Sequence, residues 1–284
     1  MTKLKGRVIK GVASRFSVYT DEGVKTCLAR GRLKSDGLIY VGDYVEIVRD
    51  RDVWVIESVA PRKNALIRPY VSNIDLCLIT VAPVPAPDFL LVDKVIVNCL
   101  AEGITPVLVV NKSDIEKVDV SEYNCVETVF CSAETEGGAD VLVPVIGGKT
   151  VCFAGQSAVG KSSLINALIG SPLLEVGALA KKTDRGKHTT RRTELIPLGD
   201  NTWVADTCGF SMLEAVELPP AELRLYYDDF EPYRPACRFN GCTHIDEPDC
   251  AVRAEVGKSI GKGRYERYKT IFAELDERRK NKYD

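Results

Sequence analysis

The sequence lacks the features typical of membrane-spanning, exported and repeat proteins. No apolar run is long enough to span a bilayer, and no stretch has the pattern of a signal or transit peptide. No internal repeat is evident among the 284 residues. We therefore expect a soluble cytoplasmic protein whose thiols stay reduced, and we do not expect a disulfide framework. Hydrophobic residues make up 45% of the chain, enough for two or three packed domains.

Net charge is also small, at −2, but the charge is unevenly distributed. Residues 1–68 carry 14 Lys and Arg against 8 Asp and Glu, and residues 181–192 carry 6 against 1. Residues 251–284 carry 10 against 6, whereas the intervening segments are acidic. Basic ends and a basic loop on an acidic body favour a polyanionic partner, bound in a salt-dependent manner.

The segment from Gly155 to Ser162, GQSAVGKS, fits the phosphate-loop pattern. Val151–Ala154 is an apolar run that predicts a buried strand, and 161–169 has helical spacing with Gly170 as its stop. Glycines let backbone amides converge on phosphate oxygens, a lysine reaches the β- and γ-phosphates, and a serine ligates Mg²⁺. The predicted nucleotide contacts here are Gly155, Gln156, Ser157, Ala158, Val159, Gly160, Lys161, Ser162 and Ser163.

A second motif, Asn111-Lys112-Ser113-Asp114, follows the apolar run 105–110 and has the pattern of a guanine-reading loop. An Asp114 carboxylate can accept two hydrogen bonds from guanine N1–H and its exocyclic amine, a donor pair that adenine lacks. In this prediction Lys112 lies over the base and Asn111 braces the loop. After the next strand-like run, 125–130, Ser132 and Ala133 fit a backbone contact to guanine O6.

Two further segments have the pattern of nucleotide switches. The predicted strand 201–205 leads into Asp206-Thr207-Cys208-Gly209, where Asp206 would hold Mg²⁺ through a water and the Gly209 amide would sense the γ-phosphate. The polar stretch 181–192 lacks apolar periodicity and predicts a loop. Either Thr189 or Thr190 would complete the Mg²⁺ shell, and the sequence does not choose between them.

Hydrolysis requires a group that orients the attacking water. Many GTPases place glutamine directly after Asp-x-x-Gly, but Phe210 stands there in this chain. His188 is the nearest candidate in the switch loop, because an imidazole can hydrogen-bond a water. We therefore expect slow unaided turnover that a partner accelerates.

The second of the two histidines lies within a cysteine cluster, Cys237-x4-Cys242-x-His244-x5-Cys250. Three thiolates and one imidazole in a short polar stretch form a closed tetrahedral set, which is typical of structural Zn²⁺. Such a segment buries little core, so metal binding would supply its folding free energy. One Zn²⁺ is predicted, with no open position for catalysis.

The flanking segments predict simple folds. Short alternating runs separated by glycines before residue 68 favour a small closed barrel of OB-fold type, which binds nucleic acid or, alternatively, serves only protein contacts. Asp88 is the predicted N-cap of a helix over 89–100, after a stiff proline-rich link. A final helix over 265–279 has one apolar face, which we expect to pack in a core.

In an ordinary GTP-binding domain the phosphate loop precedes the base reader, and here the order is reversed. This order, the barrel-like front and the Cys/His tail resemble the RsgA (YjeQ) family of small ribosomal subunit biogenesis GTPases over essentially the whole chain. The resemblance implies an OB-fold domain over 1–68, a circularly permuted GTPase domain over 69–218 and a zinc domain over 219–284. It also implies GTP hydrolysis stimulated by the small (30S) subunit, binding to its rRNA, assistance in late maturation and then dissociation, with His188 acting near the γ-phosphate.

The chain departs from the family pattern at three positions, with Ala158, Asp184 and Cys208 where the family usually has Gly, Gly and Pro. None of the three removes a ligand. Two other classes stay open from the residues alone: a metabolic kinase or ATPase that uses the phosphate loop, and a non-enzymatic RNA-binding adaptor. Nothing demands a dimer, so we expect a monomer.

Overall fold

The computed structural model of the chain describes residues 2–12, 14–31, 33, 39–67, 70–172, 193–207 and 218–281. Within these ranges the chain forms an N-terminal barrel, a central sheet with helices on both faces, and a C-terminal module built around the Cys/His cluster. No helix in these ranges is both long and apolar enough to cross a membrane.

The barrel has the OB-fold arrangement that the glycine-punctuated runs predicted. Its strands follow the order β1-β2-β3-β5-β4, and β1 pairs with β4 to close it. Buried Val8, Val18 and Ile47 are among the residues that fill its interior. The prediction did not single out β3, where only Cys27 is buried and no clear apolar alternation exists. The strands are Lys3–Val12 (β1), Arg15–Thr20 (β2), Gly23–Ala29 (β3), Tyr44–Asp50 (β4) and Val53–Val59 (β5).

A short hairpin, Ala65–Ile67 (β6) and Tyr70–Ser72 (β7), leads into the central sheet, whose order is β10-β9-β8-β11-β13-β12. All neighbours are parallel except β12, which runs against β13. Strand β11, which carries the phosphate loop, lies in the middle although three strands of the sheet precede it in the chain. This strand order is the one expected for a permuted domain, in which the phosphate loop follows the base-reading loop in the chain. The strands are Leu76–Val81 (β8), Thr105–Val110 (β9), Glu127–Phe130 (β10), Thr150–Ala154 (β11), Thr193–Gly199 (β12) and Thr202–Thr207 (β13).

Helices cover both faces of this sheet, so its central strands β8, β9 and β11 are almost wholly apolar. Helix α1, Phe89–Ala101, packs on one face, and its predicted N-cap is confirmed because the Asp88 carboxylate accepts from the Leu91 amide (3.0 Å). The short helix α2, Val143–Ile146, and helix α3, Lys161–Gly170, pack on the other face. Because the parallel strands end at one edge, the loops after β9, β10 and β11 meet there beside the carboxyl end of β13.

The barrel joins the sheet side by side. Strand β1 pairs with β12 at Lys10 and Glu194, whose side chains form an ion pair (2.9 Å). Buried Arg7 donates to the carbonyl oxygens of Gly42 and Asn73, both at 3.3 Å. Glu194 also pairs with Asp206 of β13, so the β1–β12 contact lies beside the carboxyl end of β13.

The C-terminal module has little regular structure apart from its last helix. Short 3₁₀ turns occupy much of 220–236, followed by helix α4, Ala251–Ala254, and helix α5, Lys262–Asn281. The predicted core role of the last helix is confirmed, since Tyr265, Tyr268 and Ile271 are buried. Val97 of α1 belongs to the same hydrophobic cluster, so α1 contributes to two cores.

Candidate nucleotide site and metal centre

The phosphate loop depends on two glycines that no larger residue can replace. Gly155 directly follows β11 at φ 123°, and a Cβ there would lie 2.2 Å from the Thr80 carbonyl oxygen. Gly160 precedes α3 at φ 93°, and its Cβ would lie 2.3 Å from Asn111 Nδ2. The second contact shows that the phosphate loop and the base-reading loop touch.

Asn111 holds these two loops together. Its Nδ2 donates to the Val159 carbonyl oxygen (2.8 Å), and its Oδ1 accepts from the Ala133 amide (3.1 Å). The side chain is buried, so the hydrogen bonds are shielded from water. Through these two hydrogen bonds the Asn111 side chain joins the base-reading loop to the phosphate loop and to the Ser132–Ala133 loop. The hydrogen bond to Asn111 Oδ1 occupies the Ala133 amide, which is the predicted donor to guanine O6.

Lys112 forms a second connection at this edge. Its Nζ donates to the carbonyl oxygens of Ala158 (2.9 Å) and Val84 (2.7 Å), so it bridges the phosphate loop and the proline-rich link. Gln156 bridges the same two segments, accepting from the Asp88 amide (2.8 Å) and donating to the Ala86 carbonyl (3.2 Å). The proline-rich link is thus part of the site.

The cation predicted to meet phosphate lies inside the loop. Lys161 Nζ donates to the carbonyl oxygens of Gly155 (2.7 Å) and Gln156. Burial lowers the pKa of this ammonium group, and the two carbonyl oxygens that accept from it are neutral, so they do not compensate its charge. An anion at this point would supply the missing charge. Ser162 and Ser163 follow in the first turn of α3, where the helix dipole adds further attraction for anions.

Asp114 is exposed at the rim, in a turn closed by a hydrogen bond from the Ile115 amide to the Lys112 carbonyl (3.0 Å). Ser113 anchors this turn, because its hydroxyl donates to the Cys131 carbonyl oxygen (2.9 Å). Ser132 is buried at the end of the neighbouring strand and accepts from the Glu134 amide (3.3 Å). The turn therefore presents the carboxylate on a loop fixed at both ends.

Asp206 lies near the end of β13, opposite Glu194 of β12 and next in sequence to Ala205, which pairs with Cys152 of β11. This register places Asp206 at the same edge as the phosphate loop. The predicted switch residues His188, Thr189, Thr190 and Gly209 lie outside the described residues, as do Asp184, Cys208 and Phe210.

Ala158 is the non-glycine residue of the phosphate loop whose backbone has a positive φ. Its φ of 65° lies in the left-handed region, which costs an L-residue roughly 1–2 kcal/mol and glycine almost nothing. The methyl group itself is exposed and meets no crowding that the structure records. Its departure from glycine therefore acts on backbone strain rather than on contacts with the loop.

Replacing Gly160 by alanine should separate the two loops. The new Cβ would overlap Asn111 Nδ2 and the backbone would be strained, so we expect the free energy of unfolding to fall by about 2–3 kcal/mol, with guanine-nucleotide affinity falling as well. Urea denaturation and nucleotide titration measure both. Gly170→Ala is the matched control, since its Cβ meets nothing within 4 Å and alanine favours a helix. Equal behaviour of the two variants would contradict the packing argument.

The four residues of the Cys/His cluster come together, with their ligand atoms all within 4.8 Å of one another. His244 Nδ1 lies 3.3 Å from Cys250 Sγ and 3.7 Å from Cys237 Sγ, and the latter two sulfurs are 3.9 Å apart. A zinc tetrahedron with Zn–S bonds of about 2.3 Å places its sulfurs roughly 3.8 Å apart. The donor set and its spacing therefore fit one Zn²⁺, with Nδ1 as the histidine ligand.

The environment of His244 keeps its imidazole neutral. Burial, followed by the positive charge of Arg224, lowers the pKa of His244 to about 4. Helix α5 fixes the backbone around it, since the Tyr265 hydroxyl donates to the His244 carbonyl oxygen (2.7 Å) and the Tyr268 hydroxyl donates to that of Thr243. A neutral, positioned imidazole is the form that binds a metal ion.

Glu247 organises the same loop, a role that no sequence pattern indicates. Its carboxylate accepts from the amide and hydroxyl of Thr243 and from the Ile245 amide (3.1 Å). Burial alone would raise the pKa of Glu247, but the hydrogen bonds from Thr243 outweigh it and bring the pKa to about 2. Acidic residues are common in polar turns, so spacing alone could not have identified this one.

The depressed pKa of Glu247 predicts an acid-sensitive loop. Ionised Glu247 stabilises the loop fully above its ordinary pKa of 4.5, and this stabilisation is lost as the pH falls towards about 2. We expect amide protection factors in 243–247 to drop across that window. Glu247→Gln should already lower them at pH 7, while Glu266→Gln on the exposed face of α5 should not. An unchanged pH profile in Glu247→Gln would contradict this account.

The reversed strand order, the joined loops and the barrel define the class: a circularly permuted GTPase with an OB-fold domain and a Cys/His module. Comparison with known proteins agrees. The RsgA GTPase family model matches residues 59–216, and the RsgA N-terminal domain model matches residues 5–53. The chain belongs to the RsgA GTPase family.

The relatives match it over nearly full length. The small ribosomal subunit biogenesis GTPase RsgA of Caldanaerobacter subterraneus is 39% identical, covering 100% of this chain and 99% of the relative. That of Agathobacter rectalis is 36% identical, covering 98% and 100%. The crystal structure of YjeQ from Thermotoga maritima superposes with a TM-score of 0.80 at 33% identity, covering 96% of this chain and 99% of that one. YloQ, described as a circularly permuted GTPase, gives 0.77 at 27% identity, covering 98% and 96%.

Proposed function

We propose that this protein is a GTPase that binds the small ribosomal subunit, assists its late maturation and dissociates after hydrolysis. The observation that carries the proposal is the junction at Asn111, which ties the guanine-reading loop, the phosphate loop and the Ser132–Ala133 loop into one pocket edge. Its relatives are named small ribosomal subunit biogenesis GTPases, which supports the first part of the proposal. Such a partner would place the protein in the cytoplasm, where it acts as a monomer.

In this proposal each loop contributes one part of GTP recognition. The Asp114 carboxylate accepts from guanine N1–H and the exocyclic amine, and Lys112 covers the base. Lys161 and the amides of 155–163 bind the phosphates. Ser162, Asp206 and either Thr189 or Thr190 hold Mg²⁺, which would offset charge on the phosphate oxygens. The Gly209 amide senses the γ-phosphate.

For hydrolysis, the proposal assigns His188 to orient the attacking water. The position after Asp-x-x-Gly is phenylalanine, which cannot do so. Partner-supplied groups can be worth several orders of magnitude in phosphoryl transfer. We therefore propose slow unaided turnover and strong stimulation by the small subunit.

The Cys237, Cys242, His244 and Cys250 cluster would hold one structural Zn²⁺. All four coordination positions are protein ligands, so the metal supplies folding free energy rather than chemistry. The barrel and the basic segments would provide the contacts with rRNA.

The decisive experiment measures GTP hydrolysis with and without purified small ribosomal subunits. We expect low turnover alone and stimulation on the order of 10³-fold with subunits. Large subunits serve as the control. A fast rate without a partner, or equal stimulation by both subunits, would refute the proposal.

The variant Lys161→Ala distinguishes the proposed GTPase from a non-enzymatic RNA-binding adaptor. In the proposed GTPase this variant binds subunits but fails to leave them, since hydrolysis drives release. If release from subunits proceeds normally, the nucleotide has only a structural role.

A further inference from the structure

Helix α1 lies between the nucleotide site and the Cys/His module and contacts both. One face packs on the sheet through residues such as Val92 and Val95, while Val97 belongs to the core of the module. A helix packed on both sides behaves as a rigid strut, because a close-packed interior transmits displacement instead of absorbing it.

The near end of α1 is fixed to the nucleotide motifs. Gln156 of the phosphate loop bonds to the Asp88 amide (2.8 Å), directly before the first turn of α1. Lys112 of the base-reading loop bonds to Val84 O (2.7 Å) in the same proline-rich link. Prolines at 83, 85 and 87 restrict the link, so a movement of either loop reaches the start of α1.

The far face of α1 carries a buried ionic joint. Asp93 has no exposed side-chain surface, and its two oxygens accept from Arg264 Nη1 (2.7 Å) and from Arg267 Nε on α5. Arg264 also contacts Asp229 of the module (3.2 Å). One buried carboxylate therefore holds two arginines of another domain, and its position is fixed by both.

A second carboxylate strengthens the joint from the GTPase side. Glu122 accepts from the Gly263 amide (2.9 Å) at the start of α5 and from Arg267 Nη2 (3.0 Å). Gly261 and Gly263 make this approach possible, since a Cβ at either would lie within 3 Å of the Glu122 carboxylate. An anion at the N-terminus of α5 also complements its dipole.

Helix α5 carries the same movement to the metal ligands. Tyr265 and Tyr268, which alternate along α5 with the arginines of the joint, bond to the carbonyl oxygens of His244 and Thr243. The chain of contacts from Gln156 to His244 thus runs through α1, Asp93 and α5 without leaving the described residues.

We propose that α1 and the Asp93–Arg264–Arg267 joint couple the state of the nucleotide site to the position of the Cys/His module. The inference rests on the proposed function, since it requires that the site bind guanine nucleotide. Phosphate binding draws the Lys161 ammonium from the Gly155 and Gln156 carbonyls, and the Gln156 side chain conveys that change to the start of α1. Asp93 is a positioning residue in this scheme and touches no substrate.

The test is hydrogen–deuterium exchange, read by mass spectrometry on the zinc-loaded full chain without nucleotide, with GDP and with a non-hydrolysable GTP analogue. In the parent protein we expect nucleotide to change deuterium uptake in 243–247 and at the start of α5. In Asp93→Asn that change in uptake should disappear. The Kd for nucleotide should shift by less than about 5-fold, the lower end of typical allosteric coupling effects. Lys94→Met is the control, because Lys94 lies next along α1 and pairs with Glu274 at the margin of the interface (2.7 Å).

A second variant tests the joint independently in case Asp93→Asn fails to fold. Arg267→Met removes a partly exposed partner of Asp93 but leaves Arg264 in place, and it should weaken the nucleotide-dependent change in uptake. If the nucleotide-dependent change in deuterium uptake persists in full in both variants, the joint does not carry the coupling. The coupling would then be assigned to the chain between Asp206 and Leu218. A module that never responds although nucleotide is bound would overturn the inference alone. Failure to bind guanine nucleotide would overturn the proposed function together with it.

Discussion

Replacing Asp114 by asparagine is expected to lower the affinity for GTP by about 10²- to 10⁴-fold. The carboxylate would accept two hydrogen bonds from guanine, and charge-assisted bonds contribute about 1.5–3 kcal/mol each. An asparagine amide instead presents a donor towards the exocyclic amine, which is itself a donor. The same substitution should raise affinity for xanthosine triphosphate, whose C2 carbonyl accepts from that amide. Titration with both nucleotides measures the exchange in specificity.

Glu116→Gln is the matched control for this change, since it makes the same carboxylate-to-amide substitution on the same exposed stretch. It should leave both affinities unaltered. In a metabolic kinase or ATPase built on this phosphate loop, Asp114→Asn would be as silent as Glu116→Gln. That result would contradict guanine recognition by Asp114 but would not bear on the fold.

Replacing Cys242 by serine is expected to cost the chain its zinc and unfold the C-terminal module. Zinc binding contributes about 10–16 kcal/mol to small structural sites, which matches or exceeds the 5–15 kcal/mol that separates folded from unfolded domains. Cys242 is buried in the module core, so a serine there also leaves a polar group without a metal partner. Metal content per chain and hydrogen exchange across 220–281 measure the loss.

Cys125→Ser provides the comparison, because Cys125 is exposed and lies outside the cluster. It should retain zinc and the protection of the module. A strong chelator added to the parent protein should reproduce the Cys242→Ser pattern. If the serine variant stays folded and the parent contains no zinc, the cluster is a group of ordinary buried thiols.

Local patterns predicted most of the nucleotide-site framework correctly. The strand before the phosphate loop, the helix after it and the Asp88 cap are each set by residues adjacent in sequence, where backbone preferences and apolar spacing decide the outcome. The strand predicted from residue 125 begins at Glu127 instead. Strand β12 was not predicted, because Pro197 interrupts its apolar run and its place is set by pairing with β13.

The interdomain joint illustrates what local patterns miss. A signal existed, since Asp93 and the adjacent Lys94 are the two charged residues within the otherwise apolar run 89–97. Its partners, Arg264 and Arg267, lie about 170 residues away, and no spacing rule connects them. Buried charges are paired because desolvation is costly, but the sequence does not say with which residue.

By itself, the sequence determined the phosphate-loop and Asn-Lys-x-Asp patterns, their reversed order and the Cys/His cluster, because each depends on residue type and short-range spacing. Tertiary structure alone decided that Asn111 bonds to the phosphate loop, that Glu247 shapes the metal loop, and that α1 joins the two sites. These contacts link segments distant in the chain. Their geometry is set by how the sheet, helices and module pack around shared cores, and that packing cannot be read from neighbouring residues.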